Sequence, residues 1–185
     1  RHTRYISVTG VQTCALPISD VCKLRQNVRM RAVIQRVDGA RCVVDGNVTG
    51  EFEGPGLMVL IGVHVDDTED KCAVIADKIW KMRIFEAEVL RARGFNVSAE
   101  SAEVSAADAH LPILLISQFT LHGDISKGRR PTWLQAARGD KAEPLVNQVA
   151  RELRDLGAQV VTGRFGADMR ITQTNDGPMT MLVEV

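Results

Sequence analysis

The chain has 185 residues, 45% of them hydrophobic and only 4% aromatic, which suits one domain with a mostly aliphatic core. No apolar run approaches the ~20 residues needed to cross a bilayer, so no membrane-spanning helix is expected. Formal net charge is zero, but setting aside the five basic residues and one acid of positions 1–29 leaves 18 basic against 22 acidic residues, a net of −4. That balance excludes a protein that grips nucleic acid along its length, and confines any RNA contact to a local patch.

Residues 1–29 follow neither helical nor strand periodicity, and Pro17 interrupts their only apolar cluster. Cys14-Ala15-Leu16-Pro17-Ile18 is too short for the apolar core of a secretory signal, which needs ~7–15 residues. The string Val8 to Ser19 resembles translated sequencing-adapter read-through. Residues 1–29 are therefore expected to be a disordered or artefactual extension, dispensable for folding, with the domain spanning 30–185.

From Met30 onward, three strand-like runs come first, over 31–37, 40–45 and 48–53. Asp45-Gly46-Asn47 joins the last two as a hairpin. Gly54-Pro55-Gly56 breaks the chain, and Leu57 to Val63 reads as a buried strand. Asp66, Asp67, Glu69 and Asp70 then precede a helical pattern over about 69–83, acids at the positive end of a helix. Residues 86–110 lack periodicity and read as a long loop with at most a short strand. Leu111 to Leu121 is a strand ending in Ser117-Gln118-Phe119-Thr120-Leu121. A basic loop runs from His122 to Trp133. Asp140 is a candidate N-cap, with Pro144 in the first turn. Leu145, Val149, Leu153 and Leu156 form the apolar stripe of that helix, and Gly157 stops it. Strands over 158–162, 169–174 and 179–185 complete the chain. Strands cluster rather than alternate with helices, so the fold class is α+β: a single domain of largely antiparallel or mixed sheets forming a barrel-like core with two main helices.

Familiar catalytic motifs are missing: no G-x-S-x-G, P-loop, H-E-x-x-H or G-x-G-x-x-G. The four histidines, His2, His64, His110 and His122, are scattered and read as surface or loop residues. Cys42 and Cys72 read as buried thiols in a reducing compartment. No metal-ligand spacing and no cofactor motif is present.

Two segments remain. Ser117 to Thr120 close a buried strand, where polar groups need partners or a ligand. Strand alternation puts Ser117 and Phe119 on one face and Gln118 and Thr120 on the other, with the Gln118 and Phe119 amides as possible oxyanion donors. Read alone, the segment is better taken as a strand end leaving the core, since strand ends are commonly polar. Asn175-Asp176-Gly177-Pro178 reads as a plain hairpin turn between two strands. Lys127-Gly128-Arg129-Arg130-Pro131-Thr132-Trp133 is the one basic patch with an aromatic. It suits phosphate contact through Lys127, Arg129 and Arg130, with Trp133 either stacking on a base or packing in the core.

Taken in order, Met30-Arg31-Ala32-Val33-Ile34-Gln35-Arg36-Val37, Ser117-Gln118-Phe119-Thr120-Leu121, Lys127-Gly128-Arg129-Arg130-Pro131, Thr162-Gly163-Arg164-Phe165-Gly166-Ala167-Asp168-Met169 and Asn175-Asp176-Gly177-Pro178-Met179-Thr180 resemble the D-aminoacyl-tRNA deacylase family across residues 30–185. The resemblance implies a cytoplasmic homodimer acting on the aminoacylated 3′ end of tRNA, with no cofactor, no metal, no DNA and no membrane partner. It implies a catalytic pocket built around Ser117, Gln118, Phe119 and Thr120. Gly177-Pro178, in cis, would enter that pocket from the other subunit as a wall against L-amino acids, with Asn175 and Thr180 beside it. Arg36 would brace this element across the interface, and Met169 and Phe165 would support the pocket. Glycyl-tRNA, lacking a side chain to clash, should pass. In this family the terminal ribose 2′-OH is thought to assist attack by water, so Thr120 positions rather than attacks, having no accompanying base. Two features depart from the family: residues 86–110 lack its Lys-Met-Asn-like segment, and His122 stands where relatives often carry another residue. A non-catalytic RNA-binding module is the alternative, and a small-molecule esterase a weaker third.

Overall fold

The computed structural model describes residues 30–126 and 128–185. The reading of residues 1–29 and the phosphate-contact role of Lys127 lie outside the described residues.

Two long strands open the fold. β1 (Arg31–Val44) and β2 (Asn47–Gly62) form an antiparallel hairpin around Asp45-Gly46, both at positive φ, as a two-residue turn matched to strand twist requires. The sequence reading divides each strand in two. The structure keeps each whole, because an irregularity carries the chain past the breakers. Asp38 pairs with Pro55 and Ala40 with Phe52, leaving Gly39 (φ +89°) opposite Glu53 and Gly54. The shift also exchanges faces. Ala32 and Ile34 look towards the helices, whereas Val37 and then Ala40, Cys42 and Val44 look the other way.

Helix α1 (Asp70–Lys81) buries Cys72, Ile75, Ala76, Ile79 and Trp80. The segment expected to be a loop instead holds β3 (Arg83–Glu86), α2 (Ala87–Ala92), β4 (Glu103–Ser105) and α3 (Ala106–Ala109). These elements are too short to show a period, and α3 is set by local chemistry. The Ser105 hydroxyl accepts from the Asp108 amide, and the Asp108 carboxylate accepts from the Ser105 amide at 2.8 Å.

β5 (Ile113–Ser117) is shorter than expected. The chain leaves it at Gln118 and enters a 3-10 turn, Phe119–His122. Helix α4 (Gly139–Asp155) is capped by Arg138 rather than Asp140, and Pro144 falls in its second turn. Leu145, Val149 and Leu153 are buried as the stripe predicts, but Leu156 lies past the last turn and is exposed. Gly157 (φ +96°) ends the helix. β6 (Val160–Thr162) follows. The last two expected strands are one, β7 (Arg170–Glu184).

The main sheet runs β6-β5-β2-β1-β7, parallel across β6, β5 and β2 and antiparallel across β2, β1 and β7, with β3 and β4 as a separate pair. The α+β reading holds, with parallel pairs alongside the antiparallel ones. The barrel-like core takes the form of an open sheet that curls. Cys42 and Val44 at the far end of the hairpin pack with Leu114 and Ile116 of β5 and Val161 of β6. A second, larger core lies between the sheet and helices α1 and α4. β5 separates the two: Ile113 and Leu115 face the helices, and Leu114 and Ile116 face the curl. All four are essentially fully buried, which is why the segment reads as an unbroken apolar run.

Candidate active site

A cleft of about 390 Å³ opens where β5 ends. Ser117, Gln118 and Phe119 form one side. Ala137, Gly139, Ala142 and Val146 of α4 and its approach form another. Phe165, Ala167 and Met169, from the loop before β7, close the third. The parallel β2–β5–β6 arrangement is responsible: ligands gather beyond the carboxyl ends of parallel strands, where the connections diverge. Of the residues singled out by sequence, Ser117, Gln118, Phe119, Phe165 and Met169 meet here. The α4 wall escaped notice because Ala142 and Gly139 are small residues adjoining an ordinary core stripe.

The 3-10 turn changes the expected local geometry. Strand alternation no longer applies beyond Ser117, so Thr120 sits at the turn, where its hydroxyl accepts from the Gln118 side-chain amide. The Gln118 backbone amide is not a free oxyanion donor, since it donates to the Ile61 carbonyl at 2.7 Å. The first hydrogen bond of the turn runs from the Leu121 amide to the Gln118 carbonyl, which leaves the Phe119 and Thr120 amides without an acceptor inside the turn. The Arg31 guanidinium, paired with Glu184 at 2.7 Å, holds the turn from outside by donating to the Leu121 carbonyl at 2.9 Å.

His122 is not a surface residue. It is 1% exposed, its ring edge meets His64 at a centroid distance of 5.5 Å, and neither ring nitrogen has a hydrogen bond of proper geometry. Burial pushes its pKa below the usual imidazole value. Arg31 and His64 act in the same direction; the Gly62 carbonyl and Glu184 oppose it.

The Gly-Pro element lies elsewhere on the chain. Gln35 pairs with Thr180 and Val37 with Asn175, so Asp176-Gly177-Pro178-Met179 bulge from β7 opposite Arg36 alone. The segment is a bulge within one strand, not a hairpin turn. No cis peptide bond occurs among the described residues, so the expected cis Gly177–Pro178 linkage is corrected to trans, the arrangement X–Pro bonds ordinarily prefer. Gly177 itself stands at φ +113°, and a Cβ there would fall 2.5 Å from Arg36 Nη2. Within one chain, Arg36 braces the bulge. Its Nε donates to the Asp176 carbonyl at 3.1 Å, and its Nη1 to the Ile84 carbonyl at 2.7 Å. The register that sets Arg36 opposite the bulge makes this contact local. Asn175 and Thr180 flank the bulge: Gln173 donates to Asn175 at 2.7 Å and to Gln35 at 2.9 Å, and Gln35 donates to Thr180 at 3.4 Å.

Bulge and cleft do not meet in one chain. β7 is three strand spacings from β5, about 14 Å, and the bulge is level with Ile113, about 13 Å along the strand from Ser117. Arg129 and Arg130 are exposed in the loop closed by pairing of Asp124 with Thr132. Trp133 is 42% exposed and packs edge-on against Phe119 at 5.3 Å.

Among the described residues no group of His, Cys, Asp and Glu is placed to hold a metal, and no helix is long and apolar enough to cross a membrane. The family model described as D-Tyr-tRNA(Tyr) deacylase matches residues 33–184. A D-aminoacyl-tRNA deacylase of Streptomyces coelicolor is 55% identical over 156 residues, covering 84% of this chain and all of that protein. One from Thermobifida fusca is 49% identical over 156 residues, with the same coverage. Among solved structures, a c-Myc DNA unwinding element binding protein superposes with a TM-score of 0.72 at 32% identity, covering 84% of this chain and 98% of that one. A probable eukaryotic D-amino acid tRNA deacylase, at 19% identity and a TM-score of 0.68, shares the fold.

Proposed function

This chain belongs to the D-Tyr-tRNA(Tyr) deacylase family, and from that premise we propose an editing site completed by two copies of the chain. The protein is a D-aminoacyl-tRNA deacylase, a hydrolase of the ester that joins a D-amino acid to tRNA. In the proposed site, the ester lies in the cleft between Ser117–Thr120 and Phe165–Met169, and the Gly177-Pro178 bulge of a second copy forms the wall at the position an L side chain would occupy. L and D substrates differ by exchange of a hydrogen and a side chain on one carbon, so a stiff wall rejects one by clash and admits the other. Glycine has nothing to clash and passes too.

The separation of bulge and cleft within one chain carries this reading. A bulge braced by Arg36, with its glycine too crowded for a Cβ, is built for rigidity, yet its own chain gives it nothing to select. β7 also supplies a means of pairing. It is the outermost strand of the sheet, 15 residues long, with Met181 and Leu182 exposed. Such an edge invites a second copy.

The chemistry needs little from side chains. Water adds to the ester carbonyl with the terminal ribose 2′-OH assisting. The Phe119 and Thr120 amides stabilise the developing oxyanion, and the ribose 3′-oxygen leaves carrying a proton. Thr120 positions. The buried free thiols Cys42 and Cys72 and a tRNA substrate fit work in the cytoplasm. Arg129 and Arg130 contact the tRNA phosphates.

Incubation with D-tyrosyl-tRNA, L-tyrosyl-tRNA, glycyl-tRNA and the free D-tyrosine ester tests the proposal. Rapid loss of the D-charged and glycyl species alone supports it. Binding without cleavage would favour the RNA-binding alternative, and cleavage of the free ester a small-molecule esterase.

A further inference from the structure

We infer that Phe119 and Trp133 form a fixed stacking platform for the unpaired 3′ strand of the RNA, on the rim of the cleft. This deepens the deacylase reading and rests on it. Trp133 is held in place from below: a Cβ on Gly123 would fall 2.6 Å from its ring, so the indole lies directly on a bare stretch of backbone. The loop behind it is pinned to the cleft wall. The Ala136 amide donates to the Trp133 carbonyl at 3.0 Å, the Val65 amide to Gln135 at 3.0 Å, and the Ala137 amide to Val63 at 2.9 Å. Val63 and Ala137 both line the cleft.

Despite this anchoring the two rings remain open, Phe119 at 56% and Trp133 at 42% exposure, with Ile125 and Leu134 exposed on the neighbouring loop. Large apolar side chains held open in this way suit a contact surface. The choice of occupant follows from charge and position. Arg129 and Arg130 are exposed just before the Asp124–Thr132 pairing that leads directly into Trp133, and the rest of the domain is net acidic. Aromatic faces beside a local cationic loop are the means by which proteins hold single-stranded nucleic acid without reading its sequence. The two rings meet edge-on at an interplanar angle of 76°, so a base stacks on one of them, Trp133, with Phe119 as its lateral support; because Phe119 also lines the cleft, this places the next nucleotide, the one bearing the ester, at the cleft mouth.

The test uses the full chain and an uncharged RNA hairpin ending in an unpaired CCA, compared with the same hairpin lacking the overhang. The protein has two tryptophans, and Trp80 is buried with its indole N–H bonded to the Leu156 carbonyl at 3.2 Å, so quenching reports Trp133. The CCA hairpin is expected to quench the fluorescence and the trimmed one to bind about tenfold or more weakly, the loss for one stacked base. Trp133→Ala should raise KM for D-tyrosyl-tRNA by a similar factor, with the change in KM rather than kcat. Trp133→Phe, which keeps both packing and stacking, should remain near wild type. Equal binding of the two hairpins overturns the inference, as does a shift in oligomeric state on Trp133→Ala, which would make the patch a protein interface. Because the probe carries no ester, failure of quenching with D-tyrosyl-tRNA still cleaved sinks only the platform. Failure of cleavage sinks the deacylase reading.

Discussion

Arg36 and Asp176 are joined at two points: Arg36 Nε donates to the Asp176 carbonyl at 3.1 Å and lies 3.3 Å from its carboxylate. The same guanidinium reaches the Ile84 carbonyl at 2.7 Å, so one half-buried cation ties the β7 bulge to β3. The partly exposed ion pair contributes little, ~0–1 kcal/mol. The backbone contacts contribute more. Arg36→Ala should cost about 1–3 kcal/mol, the penalty for stranding carbonyls. It should also lower the D-over-L selectivity by loosening the bulge. Thermal melts and paired D- and L-tyrosyl-tRNA assays check both. Intact selectivity at reduced stability would make Arg36 a structural strut only.

Gly177→Val tests the wall directly. The position combines φ +113° with a Cβ contact of 2.5 Å to Arg36, and strain there costs of order 1–3 kcal/mol. The variant should fold at lower Tm and lose turnover of D-tyrosyl-tRNA. Wild-type rates would count against any role for the bulge in the site.

Thr120→Ala should retain substantial activity. The Thr120 hydroxyl accepts from the Gln118 side chain and has no base beside it, so it lacks what a nucleophile needs. Single-turnover rates on D-tyrosyl-tRNA decide. Complete loss with binding intact would make Thr120 the attacking group.

His122 gives the protein a sensitivity to acid. Its folded-state pKa is depressed, chiefly by burial. The folded state therefore holds the ring neutral while the unfolded chain takes up a proton, and stability present above the ordinary value of ~6.5 is lost as pH falls towards the folded value. The Tm should drop between pH 7.5 and 5, with deacylation falling in parallel because His122 closes the turn that presents Phe119 and Thr120. His122→Phe should flatten the part of the melting curve's pH dependence that falls in this window. An unchanged slope would assign the effect to other groups.

Much of the fold was legible because it rests on long periods. The α1 face of Ile75 and Ile79 and the α4 stripe from Leu145 to Leu153 were readable at helical spacing. So was β5, whose burial on both faces leaves an unbroken apolar run. Residues 83–109 were not legible, since elements of three to six residues, the last of them set by a Ser105–Asp108 cap, leave no period. Gly54-Pro55-Gly56 reads as a break because sequence shows the breaker and not the partner strand that bridges it. For the candidate site, Ser117–Phe119 stand out as polar residues closing a buried strand, whereas Phe165 and Met169 enter only through family resemblance. The 3-10 turn, the engagement of the Gln118 amide and the burial of His122 depend on packing against Ile61 and Gly62, which no local pattern records.

β5 has consequences for how this protein can change over time. Leu114 and Ile116 press on one core, Ile113 and Leu115 on the other, and Ser117 follows at the strand's end. A methylene lost on either side has no solvent to relax into, and truncation to alanine costs ~2–5 kcal/mol. What stability does not register, the reaction will: a tilt of the strand displaces Ser117 relative to Phe165. Drift at these four positions is therefore expected only as compensating exchanges between the two cores, and surviving lineages should differ at them in pairs.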